Sequence, residues 1–363
     1  MELKKDFRNF IRLDSFLFSS ILALSFLGLL NLAGLYGFES LFFKKQAVFL
    51  AVGFALVFLN PFINYRVFKN YSLPSAVFFG VSVFLLFFTL QATPVRGVAA
   101  WLHLPFGISF ETSEITKLAL ILFLARYFSS RTRLSYGPAI LVSGFYAGLS
   151  AILVFLQPDF GSALILFLIW LGGISLAGLS RKQILIALNG LIILFLIISV
   201  FVLKPYQKSR ITSFLTDLSG RGRESYNVLQ SKIAIGSGGL FGLGFGRGSQ
   251  AKFGILPEAR SDFALAALVE QFGFAALSAV SFLYFVILNR LLNIFKRARD
   301  NFSKFFVFMF SVYFFSHVII SMGINLGILP VTGLPLPFIS YGGSYFISLM
   351  TGFAILENIR RKN

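Results

Sequence analysis

Ten stretches of the chain stay apolar for close to the length of a membrane crossing: about 15–36, 46–65, 72–91, 112–129, 137–156, 162–179, 183–203, 263–289, 305–325 and 337–358. A helix needs roughly 20 apolar residues to cross a hydrocarbon core about 30 Å thick, so each run predicts one transmembrane helix. The runs at 112–129 and 162–179 are short, and 263–289 is long enough for a tilted helix. Between the seventh and eighth runs, Lys204–Asp262 is the only long segment too polar to live in lipid. The pattern predicts an all-α polytopic membrane protein of about ten helices. It forms a single integral-membrane domain, 1–363, with a large extracytoplasmic loop of about 204–262 between helices 7 and 8. Within that loop Tyr226–Ile235 is amphipathic and predicts a short helix lying on the membrane surface. The Gly-rich run Gly236–Gly248 that follows cannot be a regular helix. Its glycines would let backbone N–H groups approach a phosphate or sugar, or would make a flexible re-entrant connector. Residues 92–111 read as a medium loop, 157–161 as a tight turn and Gly327–Gly343 as a Pro/Gly-rich run.

Composition fixes the class more firmly. The chain is 57% hydrophobic with 48 Phe and only 13% charged, and its mean hydropathy is +0.83, well outside the soluble range. There is no cysteine, which excludes disulfides and thiolate metal sites. His103 and His317 are too few for a His-based metal cage and read as structural. The first run is span-length without a small-residue cleavage pattern, so no cleavable signal is expected. A net charge of +18 would suit nucleic acid, but its distribution argues against that partner. With the N-terminus inside, Lys4, Arg12, Arg66, Arg131, Arg181, Arg290, Arg297, Lys304, Arg360 and Arg361 all fall on inner segments. The short outer loops hold Lys44, Lys45 and Arg96. That is the positive-inside bias together with attraction to anionic membrane lipid, and it places both termini in the cytoplasm. Most acids fall on the other side or in the outer halves of helices, which points to a reactive outer face.

Four acids and one lysine carry the candidate chemistry. The pattern puts Asp262 in the first turn of the eighth helix, as a cap or a reactive carboxylate. Glu270 lies two turns deeper on nearly the same face, costly in a membrane unless a polar pocket receives it. Glu114 and Lys117 are spaced i, i+3 on the fourth span and can pair, as a structural ion pair or toward substrate. Asp159, between a Pro and the start of the sixth span, is a turn residue or a second acid that could help hold a divalent cation, magnesium or manganese. No other cofactor is called for. Trp101 anchors the interface or stacks on a sugar. The Gly-rich run lacks a Gly-Lys-Ser/Thr ending and a preceding strand, which excludes a P-loop.

Taken together, Ser113-Glu114-Ile-Thr-Lys117, Gln157-Pro-Asp-Phe-Gly161, Gln230-Ser-Lys-Ile-Ala-Ile-Gly-Ser-Gly-Gly239, Leu256-Pro-Glu258 with Ser261-Asp-Phe263, and Pro330-Val-Thr-Gly-Leu-Pro-Leu-Pro-Phe-Ile-Ser-Tyr-Gly-Gly-Ser344 resemble the RodA/FtsW/SpoVE family over nearly the whole chain. Where that family carries Gln-Pro-Ser-Glu, this chain reads Glu111-Thr112-Ser113-Glu114. The resemblance implies a peptidoglycan glycosyltransferase that uses lipid II and the nascent glycan, in the bacterial cytoplasmic (inner) membrane. It would work with a class B penicillin-binding protein and elongation-complex membrane proteins. The brevity of the chain looks more like the elongation branch than the division branch. The family's essential acids carry over to Asp262 and Asp159.

On this reading Asp262 accepts the proton of the acceptor hydroxyl as that oxygen attacks the anomeric carbon, with inversion and loss of polyprenyl diphosphate. The leaving charge would be neutralised by Lys117, Arg210, Arg221, Arg223, Lys232 or Arg247. Glu114, Lys117, Trp101, Lys232, Glu258, Arg210, Arg247 and Ser340 are assigned to substrate binding. The alternatives are a division-type polymerase, a transporter that flips a lipid-linked precursor, and a scaffold for cell-wall enzymes. A transporter would make Glu114, Lys117 and Glu270 matter more than Asp262, and a scaffold would make Asp262 dispensable.

Overall fold

A computed structural model describes residues 13–59, 64–92, 98, 100–104, 108–130, 136–178 and 223–362, together with positions 182, 185, 189 and 190. Arg210, Arg221 and most of the seventh apolar run lie outside the described residues, as do the side chains of Arg223 and His103. In chain order the helices are α1 (Ser15–Tyr36), α2 (Leu41–Phe58), α3 (Arg66–Asn70) and α4 (Ser72–Thr89). After two short strands come α5 (Thr112–Ser129), α6 (Tyr136–Leu156), α7 (Phe160–Leu176), α8 (Arg223–Ser237), α9 (Ser249–Lys252), α10 (Ala264–Arg297), α11 (Asn301–Asn325) and α12 (Gly343–Lys362). Polar residues set several starts. The side chains of Asp14, Ser40, Asp159 and Asp300 accept from the third backbone N–H beyond them, at Leu17, Phe43, Ser162 and Ser303, which satisfies one of the donors every helix leaves open.

Six described helices, α1, α2, α4, α6, α10 and α11, are long and apolar enough to cross a membrane, and α7 is a shorter apolar helix. Helices α5 and α12 fall short of that measure because they lie inside the bundle. Helix α5 packs against α4, α7 and α11, and Thr112, Ser113, Glu114, Thr116 and Lys117 on it are all buried. A helix surrounded by protein needs partners for its polar groups rather than an apolar rim. Lipid-facing bulk sits on the outer helices, where Phe16, Phe26, Phe84, Phe145 and Phe282 are exposed.

Three local expectations change. The 92–111 loop contains an antiparallel hairpin, β1 (Trp101–Leu104) with β2 (Ile108–Glu111), that pairs Trp101 with Glu111. The eighth and ninth runs, expected to end at 289 and begin at 305, extend as helix into the stretch between them, since α10 runs to Arg297 and α11 begins at Asn301. The eighth run is a 34-residue helix interrupted at Gly273. At about 1.5 Å per residue it is longer than a hydrocarbon core requires, and its first turns, Ala264–Gln271, are buried in protein on every side.

At the basic end of the bundle, the starts and ends of distant helices are clasped together. Arg290 Nε donates to Asp14 Oδ2 at 2.9 Å, Asp14 N donates to Glu357 Oε1 at 3.3 Å, and Arg360 Nε donates to Glu357 Oε2 at 2.8 Å. The start of α1 and the end of α12 therefore lie at one end. Asp262 lies at the far end of α10 from Arg290.

Candidate active site

The Gly-rich run is an ordered plug against the break in α10. Gly273 has φ 72° and ψ −169°, a region essentially reserved for glycine. A break there opens backbone groups that lipid could not satisfy, and the loop satisfies them. Leu243 N and Gly244 N donate to the carbonyls of Glu270 and Gln271, while Phe274 N and Ala275 N donate to those of Gly239 and Leu240. The backbones meet so closely that a Cβ on Gly242 would enter the Gln271 carbonyl. Glu270, fully buried, accepts from Gln250 N at 2.7 Å and Ala251 N at 3.0 Å, holding the start of α9. Gln271 Oε1 accepts from Gly246 N at 3.0 Å, and its Nε2 donates to Asn31 Oδ1 at 2.7 Å. Glu270, expected to need a polar pocket, is received by the loop backbone, and Gln271 is received by that backbone and by α1. Helix α8 forms where the amphipathic pattern placed it, with Ala234 and Ser231 buried.

Asp262 does not stand in the first turn of α10. The N-cap position is Phe263, which offers no side-chain cap, and Asp262 precedes it in the turn from Pro257. That turn is held by Ser261 N and Phe263 N donating to the Glu258 carbonyl and by Ser261 Oγ donating to Glu258 Oε2 at 3.0 Å. Asn325, fully buried at the end of α11, supplies what Phe263 cannot. Its Oδ1 accepts from Ala266 N at 3.0 Å, and its Nδ2 donates to the Asp262 carbonyl at 2.8 Å. From the other side Ser340 Oγ donates to the Ser261 carbonyl at 2.6 Å and accepts from Leu336 N at 2.9 Å. Ser340, assigned by sequence to substrate, is thus 4% exposed and hydrogen-bonded to backbone.

The segment Pro330–Ser340 lies against both Asp262 and the turn that holds Asp159. Gly333 faces Asp262, whose Oδ2 lies 4.0 Å from where a Cβ on that glycine would stand. On either side of it, Thr332 and Leu334 press on Gly161, in the turn that Asp159 opens. Asp159 Oδ1 accepts from Ser162 N at 2.9 Å, so one oxygen of this acid caps α7.

Behind Asp159 lies a buried charged cluster. Lys117 Nζ donates to Glu114 Oε1 at 2.7 Å, and Tyr313 OH donates to Glu114 Oε2 at 3.2 Å. Ser113 Oγ donates to Glu111 Oε1 at 2.9 Å and lies 3.4 Å from Ser162 Oγ. Glu111 keeps some solvent access, yet the crowded protein around its carboxyl pushes its pKa up to about 8. The Glu114 and Asp159 carboxylates act in the same direction, against Lys117 and the Ser113 hydroxyl. Sequence reasoning passed over Glu111 and Asn325. For Glu111 the signal was the acid at i−3 from Glu114. For Asn325 it was the spacing Tyr313, His317, Ser321, Asn325, four polar residues at i+4 steps on a buried helix. His317 is buried, stacked on Tyr345 at 4.7 Å and donating from Nδ1 to the Pro335 carbonyl at 3.4 Å.

The remaining assigned residues spread over the same end. Trp101 is half-buried in β1, and Lys232 is exposed on α8 with its stem over Gly327. Arg247 is exposed beside Gly244. Glu258 lines a cavity of about 320 Å³ with Tyr36, Lys252 and Arg260. Among the described residues no three Asp, Glu, His or Cys side chains come close enough together to hold a metal ion.

Comparison with known proteins adds the following. Residues 9–363 match the family model FTSW_RODA_SPOVE, described as "Cell cycle protein". The chain is 35% identical over 320 residues to "Peptidoglycan glycosyltransferase MrdB" of Helicobacter pylori J99, covering 87% of this chain and 82% of that one. It is 31% identical over 365 residues to the protein of that name in Escherichia coli K12, covering 98% and 95%. It is 31% identical over 329 residues to "Probable peptidoglycan glycosyltransferase FtsW" of Trichlorobacter lovleyi, covering 88% and 83%. A solved structure titled "Structural coordination of polymerization and crosslinking by a peptidoglycan synthase complex" superposes with TM-score 0.82 at 26% identity, over 97% of this chain and 98% of that one. The rod shape determining protein RodA of Thermus thermophilus shares the fold, with TM-score 0.72 at 24% identity and the same coverage.

Proposed function

The chain belongs to the FtsW/RodA/SpoVE family of cell cycle proteins, and on that premise we propose that it polymerises lipid II into glycan strands at the outer face of the bacterial cytoplasmic membrane. It is a multi-pass membrane protein and a peptidoglycan glycosyltransferase, as its relatives are named. Elongation is the process we assign it to, in keeping with the MrdB names among those relatives. A class B penicillin-binding protein is the partner we assign. A superposable chain belongs to a complex whose title joins polymerization to crosslinking, and a transpeptidase is what crosslinking requires. The clasp of Asp14, Arg290, Glu357 and Arg360 gathers the start of α1 and the end of α12 at the basic end, which supports cytoplasmic termini.

The observation that carries the mechanism is that the segment Thr332–Leu334 lies against both Asp262 and the Asp159 turn. A sugar hydroxyl is a poor nucleophile at neutral pH. Asp262 accepts its proton as the hydroxyl oxygen bonds to the anomeric carbon of the second lipid-linked sugar. The bond from that carbon to the diphosphate oxygen breaks on the opposite face, so configuration inverts. The diphosphate departs toward exposed cations, of which Lys232 and Arg247 are the described candidates. Asp159, with one oxygen on the cap of α7, presents the other to the sugar. Glu114 and Lys117, each satisfied inside the bundle, support the floor of the site.

Polymerisation of purified lipid II by the protein with its partner, the partner's transpeptidase blocked by a β-lactam, tests this. Asp262→Asn should lower the rate about 100-fold or more. Equal polymer from both proteins would remove Asp262 from the chemistry. No polymer from either, with the pair assembled, would favour the transporter.

A further inference from the structure

We propose that Asn325 and Ser340 are positioning residues that together aim the Asp262 carboxylate; the inference rests on Asp262 being the base. Two peptide planes share the Asp262 Cα, and fixing both fixes the direction of its Cβ. The plane before it is held through the Ser261 carbonyl by Ser340 Oγ at 2.6 Å. The plane after it is held through the Asp262 carbonyl by Asn325 Nδ2 at 2.8 Å. Both holders are themselves fixed. Ser340 also accepts from Leu336 N at 2.9 Å. Asn325 also donates to the Ser321 carbonyl at 2.8 Å, accepts from Ala266 N at 3.0 Å, and is fully buried.

This clamp answers a local need. Asp262 sits outside the helix, where the plane after it is otherwise held only through Phe263 N donating to the Glu258 carbonyl at 3.2 Å among the described bonds, and Phe263 leaves the first turn of α10 uncapped. Asn325 does the work of an N-cap from a neighbouring helix. In doing so it couples the aim of Asp262 to two rigid elements, α10 and α11. Ser340, assigned by sequence to substrate binding, is on this view part of the support. Misplacement of a reacting group by about 1 Å can cost on the order of 100-fold in rate.

The test uses the full chain with its partner. Asn325→Asp keeps the shape and the acceptor for Ala266 N but sets an acceptor against two carbonyls. Ser340→Ala removes only the hydroxyl. Each should lower kcat for lipid II polymerisation about 10- to 100-fold and leave KM within about twofold. A rise in KM at unchanged kcat would make Ser340 a substrate contact and overturn its place in the clamp. Ser231→Ala serves as the packing control, since Ser231 Oγ donates to the Asn325 backbone carbonyl at 2.7 Å and not to its side chain. It should stay within about twofold of wild type, and a loss matching Asn325→Asp would overturn the proposal in favour of packing at the end of α11. Adding Asn325→Asp to Asp262→Asn should lower the residual rate by less than about threefold, because a residue acting through Asp262 has nothing left to aim. A full multiplicative loss would overturn it. If Asp262→Asn alone keeps the wild-type rate, the base reading itself has failed, a result visible without any Asn325 variant.

Discussion

Replacing Lys117 by Met removes one charge from an ion pair with no access to water. The ammonium donates to Glu114 Oε1 at 2.7 Å, and the two side chains are 0% and 2% exposed. Glu114 is then left with the Tyr313 hydroxyl at 3.2 Å and no cation. Deleting one partner of a buried pair costs roughly 3–5 kcal/mol, because the charge left behind is uncompensated. Lys117→Met should therefore be less stable than wild type by about 3–5 kcal/mol. Lys117→Met with Glu114→Gln, a neutral pair of similar volume, should return to within about 1 kcal/mol of wild type. Equilibrium unfolding of the purified variants in mixed micelles measures both. A single-variant cost below about 1 kcal/mol, or a double variant no better than the single, would refute the reasoning.

Two further outcomes follow from the same end of the molecule. Gly242→Ala drives a methyl into the Gln271 carbonyl at a backbone φ of 82° and should cost about 3 kcal/mol or more. Gly239→Ala, at φ 52° with nothing in its way, should cost about 1–2 kcal/mol, and thermal unfolding in detergent compares the two. Glu111 has its folded pKa raised to about 8, above the ordinary 4.5, by burial first. Its contribution is whole below the unfolded value and is lost as pH rises through about 8. Glu111→Gln, a mimic of the protonated form, should flatten the pH dependence of stability between about 4.5 and 8 and gain most at the alkaline end, and unfolding at pH 5, 7 and 8.5 reads it.

Helices were legible in the chain because lipid leaves them no alternative: where Ser15–Tyr36 is uncharged and mostly apolar, the backbone must satisfy itself within the segment. Asp262 and Asp159 were legible as isolated acids at the ends of such segments. The hairpin at Trp101–Leu104 was not, because two four-residue strands carry no period long enough to separate from a loop. The break at Gly273 was hidden as well, since one glycine in a helix is ordinary until another backbone is seen against it. Asn325 and Ser340 were hidden for a different reason. Each is a neutral polar residue whose partner is a carbonyl, and a carbonyl leaves no mark in the amino-acid sequence.

That last point orders the polar residues of the whole site. An acid proposed to meet a sugar is set on irregular backbone, at the end of a helical bundle. Irregular backbone in or near lipid leaves donors and acceptors that cost several kcal/mol each if unmet. Here they are met by buried side chains from other elements: Glu270 for α9, Gln271 for the Gly-rich plug, Asn325 and Ser340 for the turn that holds Asp262. Read by type alone, buried Glu, Gln, Asn and Ser in membrane spans suggest contacts with a polar substrate. Read by geometry, each of these four bonds to backbone, and among the described residues the side chains we propose to face substrate are Asp262, Asp159, Trp101 and the exposed cations of α8 and the Gly-rich loop.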